Sequence, residues 1–307
     1  MPQTRRDFIG SMAAAAAIRT GPGAPQFIVA ALTMLNKSGR FDDGLNKAYL
    51  DHLTAGGADG ALAMGTTGEF PSFSIAERKV ALESFWKHKG KLSIMAQVGT
   101  SNIPETLDLL AHSTSLGVPS VLVIPPYYFK SVTTDGLAAF YEPILKASKV
   151  PVYFYNIPQL SGVPITPELL RKLSVYPNLT GIKDSFSPAD VMLGFIRDFP
   201  KLKIITGVPK NLAVNLNEGG AGIISGNASV FVKQTTTVFD AYRKGAPTAE
   251  AQKALDEAGK ALVGYDAVPT MKYMLSRMKL AESGYRPPFI ELTPERKKQL
   301  DEAWRPA

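Results

Sequence analysis

From Phe27 onward, short apolar or β-branched runs alternate with longer stretches in which apolar residues recur every three to four positions. The first kind suits strands buried on both faces, the second suits amphipathic helices. The pattern predicts strands at Phe27–Leu32, Gly60–Gly65, Leu92–Gly99, Ser120–Pro125, Pro151–Asn156, Thr180–Asp184, Leu202–Gly207 and Gly222–Gly226. Helices are predicted to follow them at Asp43–Ala55, Ser74–Lys89, Ile103–Leu116, Thr134–Lys149, Thr166–Tyr176, Pro188–Phe199, Lys210–Glu218 and Val230–Lys244. Ser74 three residues before Glu77, and Thr166-Pro167-Glu168, are helix-start signals. Strict strand–helix alternation over eight pairs predicts an α/β fold, a TIM (β/α)8 barrel. Three more helical stretches, Ala249–Val263, Val268–Ser283 and Pro294–Ala303, form a C-terminal helical extension. The chain therefore divides into a leader (1–24), a barrel (25–245) and the extension (246–307).

A length of 307 residues accommodates one barrel of about 250 residues plus the extension. The composition, 45% hydrophobic and 20% charged, is that of a globular protein, and no apolar run is long enough to span a membrane. The net charge of +7 is dispersed and lacks interleaved aromatics, so it describes a solvated basic surface and no nucleic-acid partner. Cysteine is absent, which excludes disulfides, thiolate metal sites and a cysteine nucleophile but leaves the compartment open. The leader has its own pattern: Thr4-Arg5-Arg6-Asp7-Phe8-Ile9-Gly10, an apolar stretch Met12–Ile18, then Gly21–Pro25. It resembles a twin-arginine export signal, which implies a periplasmic or exported protein if it functions. Read as a disordered tail, with no clean Ala-x-Ala site before Arg19, it leaves the protein cytoplasmic.

Barrel chemistry sits at the C-terminal ends of the strands. There the chain places Gly65-Thr66-Thr67-Gly68-Glu69, Pro125-Pro126-Tyr127-Tyr128, Tyr155-Asn156-Ile157-Pro158 and Lys183-Asp184-Ser185. The two-residue period puts Leu179, Gly181, Lys183 and Ser185 on the interior face of strand six, with Ile182 facing the helices. A charged amine inside a barrel is costly, and the neutral form is the nucleophile that imine formation needs. On the strand alone, a structural ion pair of Lys183 with Asp184 or Glu69 stands level with that reading. Tyr155 on the neighbouring strand offers an acid and base, and Gly65-Thr66-Thr67-Gly68 offers hydroxyls and open N–H groups for a carboxylate. Together they supply nucleophile, proton relay and clamp. His52, His88 and His112 fall on outer helices without an acidic partner at ligand spacing, so no metal is expected. No nucleotide loop is present, so no cofactor is expected beyond a covalent imine through Lys183.

At these residues the chain resembles the family of dihydrodipicolinate synthase, N-acetylneuraminate lyase and 2-keto-3-deoxygluconate aldolase, from about Phe27 to Pro288. The carrying motifs are Gly65–Glu69, Pro126-Tyr127-Tyr128, Tyr155–Pro158, Gly181–Ser185 and Gly219–Ser225. The resemblance implies a class I aldolase or lyase in which Lys183 forms a Schiff base with pyruvate or another 2-oxo acid. It implies catalytic roles for Tyr155 and Thr66, carboxylate binding by Thr67 beside Gly65, and a backbone carbonyl of Ile224 facing the substrate. Tyr128 matches a tyrosine that reaches into a neighbouring subunit, which implies a homotetramer or dimer. Gly207 and Ser185 complete the substrate pocket at the ends of strands seven and six.

Two departures bear on the substrate. Dihydrodipicolinate synthases carry an arginine where this chain has Leu160, and sialate lyases carry acidic residues where it has Val208-Pro209-Lys210. The pattern, including Gly284-Tyr285-Arg286-Pro287-Pro288, is nearest to keto-deoxy sugar acid and 4-hydroxy-2-oxoglutarate aldolases, and Lys210 is placed to meet a distal anion or to stand solvated at a helix start. The alternatives are dihydrodipicolinate synthesis, dehydration of a keto-deoxy sugar acid on the same imine, and a non-catalytic 2-oxo acid binding protein.

Overall fold

The computed structural model describes residues 23–186, 188–264 and 266–305. At its centre eight parallel strands close into a barrel in chain order. They are β1 (Gln26–Ala30), β2 (Gly60–Ala63), β3 (Ser93–Gln97), β4 (Ser120–Val123), β5 (Val152–Asn156), β6 (Leu179–Asp184), β7 (Lys203–Thr206) and β8 (Gly222–Ser225). Most end a residue or two before the apolar runs do. Beyond β2, for example, Met64 and Glu69 take positive φ values of 54° and 61°, so the chain leaves the sheet where the mouth begins.

Alternation along each strand sorts side chains into two cores. On β5, Tyr153 and Tyr155 point into the barrel with Ile28, Leu62, Met95, Leu122, Ile205 and Ile224. Val152 and Phe154 point outward into the layer shared with the helices, where Phe154 stacks on Tyr141 at 3.9 Å between ring centroids. Removing a ring so buried costs about 3–5 kcal/mol. Leu179 corrects the expected phase of β6: it packs in the outer layer with Ile182, not inside with Lys183. Opposite it the β5–β6 register shifts between Val152 and Tyr153, so that Leu179 pairs with Val152 and Gly181 with Tyr153. One residue is absorbed there, and the two-residue period restarts.

The helices begin where capping chemistry permits. Ser74 and Glu77 form a reciprocal capping box at the helix Ile75–His88, and Thr166 accepts from Leu169 N–H at the helix Pro167–Leu173. The predicted helix Lys210–Glu218 is instead a 3-10 turn, Pro209–Asn211, running into the helix Leu212–Asn217. The extension supplies helices Ala249–Gly259, Ala267–Arg277 and Pro294–Ala303, and its Leu255, Met271, Met274, Leu275 and Leu300 belong to the same outer core as the barrel. No helix among the described residues is long and apolar enough to cross a membrane. Apart from Gly23 and Ala24, the predicted leader lies outside the described residues.

The segment after the helix Ala267–Arg277 ties the extension to the barrel mouth. Gly284 N–H donates to Leu35 O at 2.7 Å, and Leu35 N–H donates to Ser283 Oγ at 3.0 Å. Arg286 stacks on Phe73 and donates to Gly39 O, Ser72 O and Glu77 Oε1. Lys272 lies 2.6 Å from Glu69 Oε1 with both side chains fully buried. The loops after β1 and β2 are thus held from the far end of the chain.

Candidate active site

Lys183 stands near the C-terminal end of β6, beside Tyr155 of β5 and Ile205 of β7. It is 3% exposed, and its Nζ lies 4.2 Å from the centroid of the Tyr155 ring. Both carboxylates that the sequence offered it are engaged elsewhere. Asn156 Nδ2 donates to Asp184 Oδ1 at 2.6 Å, and Glu69 pairs with Lys272. Among the described residues no carboxylate forms an ion pair with Lys183. The ion-pair reading of this lysine therefore fails, and an amine without a counterion faces a cavity.

That cavity measures about 500 Å³ and is lined by Lys183, Tyr155, Thr66 and Thr67 together with Ser185, Gly207 and Ile224. Tyr155 is held by opposing influences. Burial would raise its pKa, but the Lys183 charge and hydrogen bonding with Thr66, Ser185 and Lys183 outweigh burial and bring it below the ordinary tyrosine value. Its proton is consequently easier to move than that of a free phenol. Thr66 Oγ1 is buried beside it without a well-formed hydrogen bond, so this hydroxyl has capacity left for a ligand. The turn beneath is closed by Glu69 N–H to Thr66 O and Phe70 N–H to Gly65 O, and the N–H groups of Thr66 and Thr67 take part in none of these turn bonds.

Two glycines keep the space open. A Cβ at Gly207 would stand 1.9 Å from Ser185 Oγ and 3.2 Å from Lys183 Cε, and one at Gly226 would stand 2.4 Å from Thr67 Oγ1. Either would push a lining side chain into the cavity. Behind the site Asp184 turns outward, and burial lifts its carboxyl pKa to about 6 against the pull of the Asn156 and Phe186 hydrogen bonds. Asn156 also accepts from Ile165 N–H, which fixes the chain leaving β5.

The remaining predicted residues lie apart from this cavity. Gly65 is buried under the turn and does not line it. Tyr128 is 78% exposed and packs edge-on against Phe129, and Leu160 is 59% exposed. Lys210 is exposed on the 3-10 turn after β7 and does not line the cavity, which removes it as a partner for a distal anion there. In place of Leu160 the neighbouring Gln159 reaches the cavity, its Nε2 donating to Ser185 O. Sequence reasoning also missed Asn227, Asp266, Met271 and Phe289, which line the cavity too. The last three come from the extension, and no local signal places them over the barrel mouth. His88 and His112 each pair with a single carboxylate of a neighbouring helix, Asp43 and Glu83, which sequence spacing did not reveal. Among the described residues no group of three or more such side chains is arranged to hold a metal ion.

Comparison with known proteins agrees with this architecture. The model of the dihydrodipicolinate synthetase family matches residues 24–306. A DapA-like lyase of Chloroflexus aurantiacus is 36% identical over 252 residues, covering 80% of this chain and 84% of that protein. A 4-hydroxy-tetrahydrodipicolinate synthase of Listeria welshimeri is 32% identical over 260 residues, covering 82% and 87%. Among solved structures, YagE of Escherichia coli K12, a prophage protein of the dihydrodipicolinic acid synthase family in complex with pyruvate, superposes with a TM-score of 0.85 at 26% identity, over 90% of this chain and 96% of that one. The chain belongs to the dihydrodipicolinate synthetase family and is one of its (β/α)8-barrel lyases.

Proposed function

We propose that the protein makes or cleaves a carbon–carbon bond next to a 2-oxo acid, through a Schiff base on Lys183. The observation that carries this is Lys183 itself: buried, without a carboxylate partner among the described residues, and opening on a cavity beside a tyrosine of lowered pKa. Its neutral amine attacks C2 of pyruvate or a related acid, and the carbinolamine loses water to give the imine. Tyr155 carries the protons of these steps, with Thr66 beside it as relay. The carboxylate of the substrate takes the free N–H groups and hydroxyls of Thr66 and Thr67. Removing a C3 proton yields an enamine, whose C3 forms the new bond to an aldehyde carbon. In the cleavage direction the C4 hydroxyl gives up its proton as the C3–C4 bond breaks, the aldehyde leaves, the enamine takes a proton at C3, and water returns the keto acid and the free amine. The pyruvate bound to YagE supports the choice of acid.

Keto-deoxy sugar acids and hydroxy-oxo acids are the substrates this reading favours. With Leu160 turned to solvent and Lys210 off the cavity, the lining offers no arginine for the aldehyde of dihydrodipicolinate synthesis. Tyr128 and Phe129, an exposed aromatic pair, support assembly with a second copy, as in the homotetramer or dimer that the resemblance implies. Borohydride added with pyruvate is expected to fix a reduced adduct on the peptide bearing Lys183, read by mass spectrometry. A chain that turns over substrate yet never gains the adduct would overturn the proposal. Product analysis distinguishes cleavage from loss of water on the same imine.

A further inference from the structure

The cavity is larger than a three-carbon acid needs, and its outer part has a definite chemistry. Beyond the residues assigned to the 2-oxo acid, its lining includes the polar Gln159, Asn227 and Asp266 and the apolar Met271 and Phe289. Gln159 uses its amide N–H on Ser185 O and keeps its carbonyl free. Asp266 starts the helix Ala267–Arg277 without making a capping bond, and among the described residues its carboxylate forms no hydrogen bond or ion pair. Asn227 opens the 3-10 turn after β8, and among the described residues its side chain takes part in no hydrogen bond. The free capacity is therefore mostly acceptor: two carboxylate oxygens and two amide oxygens, with two lone pairs each, against the Asn227 NH2 and the second N–H of Gln159. Among the described residues that line the cavity, Lys183 is the single cation, and the imine consumes its amine.

We infer that Asp266, Asn227 and Gln159 select the aldehyde half of the substrate, and that this half is an uncharged, hydroxyl-bearing chain. The inference rests on the Lys183 imine proposed above and specifies what meets it. Hydroxyls donate to an acceptor-rich rim, while a carboxylate or phosphate has no donors to give and meets the Asp266 charge. The apolar side covers the C–H face of such a chain. A distal carboxylate, as in a hydroxy-oxo diacid, or a phosphate is disfavoured.

The test gives the full-length protein pyruvate with D-glyceraldehyde, glyceraldehyde 3-phosphate, succinic semialdehyde or benzaldehyde at low ionic strength, with borohydride trapping of pyruvate in parallel. The wild type is expected to show a kcat/KM for glyceraldehyde at least about tenfold above those for the two anionic aldehydes. Asp266→Lys is expected to narrow that ratio at least about tenfold in favour of the anions, and Asn227→Ala to lower glyceraldehyde turnover by about tenfold through lost hydrogen bonds. Thermal melting checks that both variants fold, and two independent positions keep the test alive if one does not. Failure of trapping in the wild type sinks the imine reading itself. Trapping accompanied by equal or better turnover of an anionic aldehyde or of benzaldehyde, by no turnover of glyceraldehyde, or by ratios that Asp266→Lys leaves in place, overturns the inference alone.

Discussion

Two buried lysines of this protein lie at the same barrel mouth and have opposite fates. Lys272 is sealed against Glu69, donates to Gly284 O and sits near the Tyr285 ring. Burial pushes the Glu69 carboxyl up and the Lys272 ammonium down, and the attraction between them opposes both drifts. Lys183 is nearly as buried but has a cavity in front and a tyrosine beside it. Burial thus does not by itself make a lysine reactive. The difference lies in whether a counterion or an open space waits at Nζ.

Exchanging the two lysines for neutral residues separates these roles most sharply. Lys183→Met is expected to lower turnover by at least about 10,000-fold, as loss of a covalent nucleophile does, with little change in melting temperature because no ion pair is broken. Stopped assays and calorimetry on the same sample check both halves. Lys272→Met is expected to cost about 3–5 kcal/mol of stability by leaving the Glu69 carboxylate buried without a partner. The double change Lys272→Met with Glu69→Gln should recover much of that in a urea titration, and an unaffected melt for the single variant would refute the contrast.

The surroundings of Lys183 give smaller, graded effects. Tyr155→Phe is expected to reduce kcat by about 100- to 10,000-fold and to remove the alkaline limb of the pH profile. In the wild type that limb should fall below the ordinary tyrosine pKa, because the folded site favours the phenolate. A limb that persists in the variant would assign it to another group. Asp184 yields the smallest effect. Its folded pKa of about 6 lies above the 3.8 of a free carboxyl, so the native state binds the extra proton between these values. Stability should fall as pH rises through that window and level off above it, by on the order of 1–3 kcal/mol. Asp184→Asn should lose this slope in denaturation measured from pH 4 to 7, and an unchanged slope would move the titration elsewhere.

Much of the reactive half of this contrast was legible in the sequence. The alternation around Lys183, the turn Gly65–Gly68 and Tyr155 on the adjacent strand end are all local, and local periodicity decides which face a strand residue takes. The sealed half was not. Lys272 lies on a helix whose sequence, Ala-Val-Pro-Thr-Met-Lys-Tyr-Met-Leu-Ser-Arg, offers the lysine as a surface residue, and its burial depends on Glu69 some two hundred positions earlier. The same distance hid Asp266 and Phe289. Leu179 was misplaced for a different reason: an extra residue in β6, Thr180, slips the pairing with β5 between Leu179 and Gly181 and restarts the alternation, which a strict two-residue period does not reveal. Leu160 was expected at the site from motif position and stands in solvent, whereas Tyr128 was expected to reach a neighbouring subunit's site and is exposed in the single chain.

The stitching of Ser283, Gly284 and Arg286 to Leu35, Gly39 and Ser72 also sets an order of events during synthesis. All eight strands leave the ribosome before those last residues appear, so the nascent barrel must wait with its first two loops untied. The lining residues Asp266 and Phe289 arrive in the same late stretch of chain. A polypeptide halted just after β8 would own every strand and Lys183 yet lack part of the walls around it. The pocket is therefore among the last parts of this molecule to mature, although the lysine proposed as its nucleophile is made early.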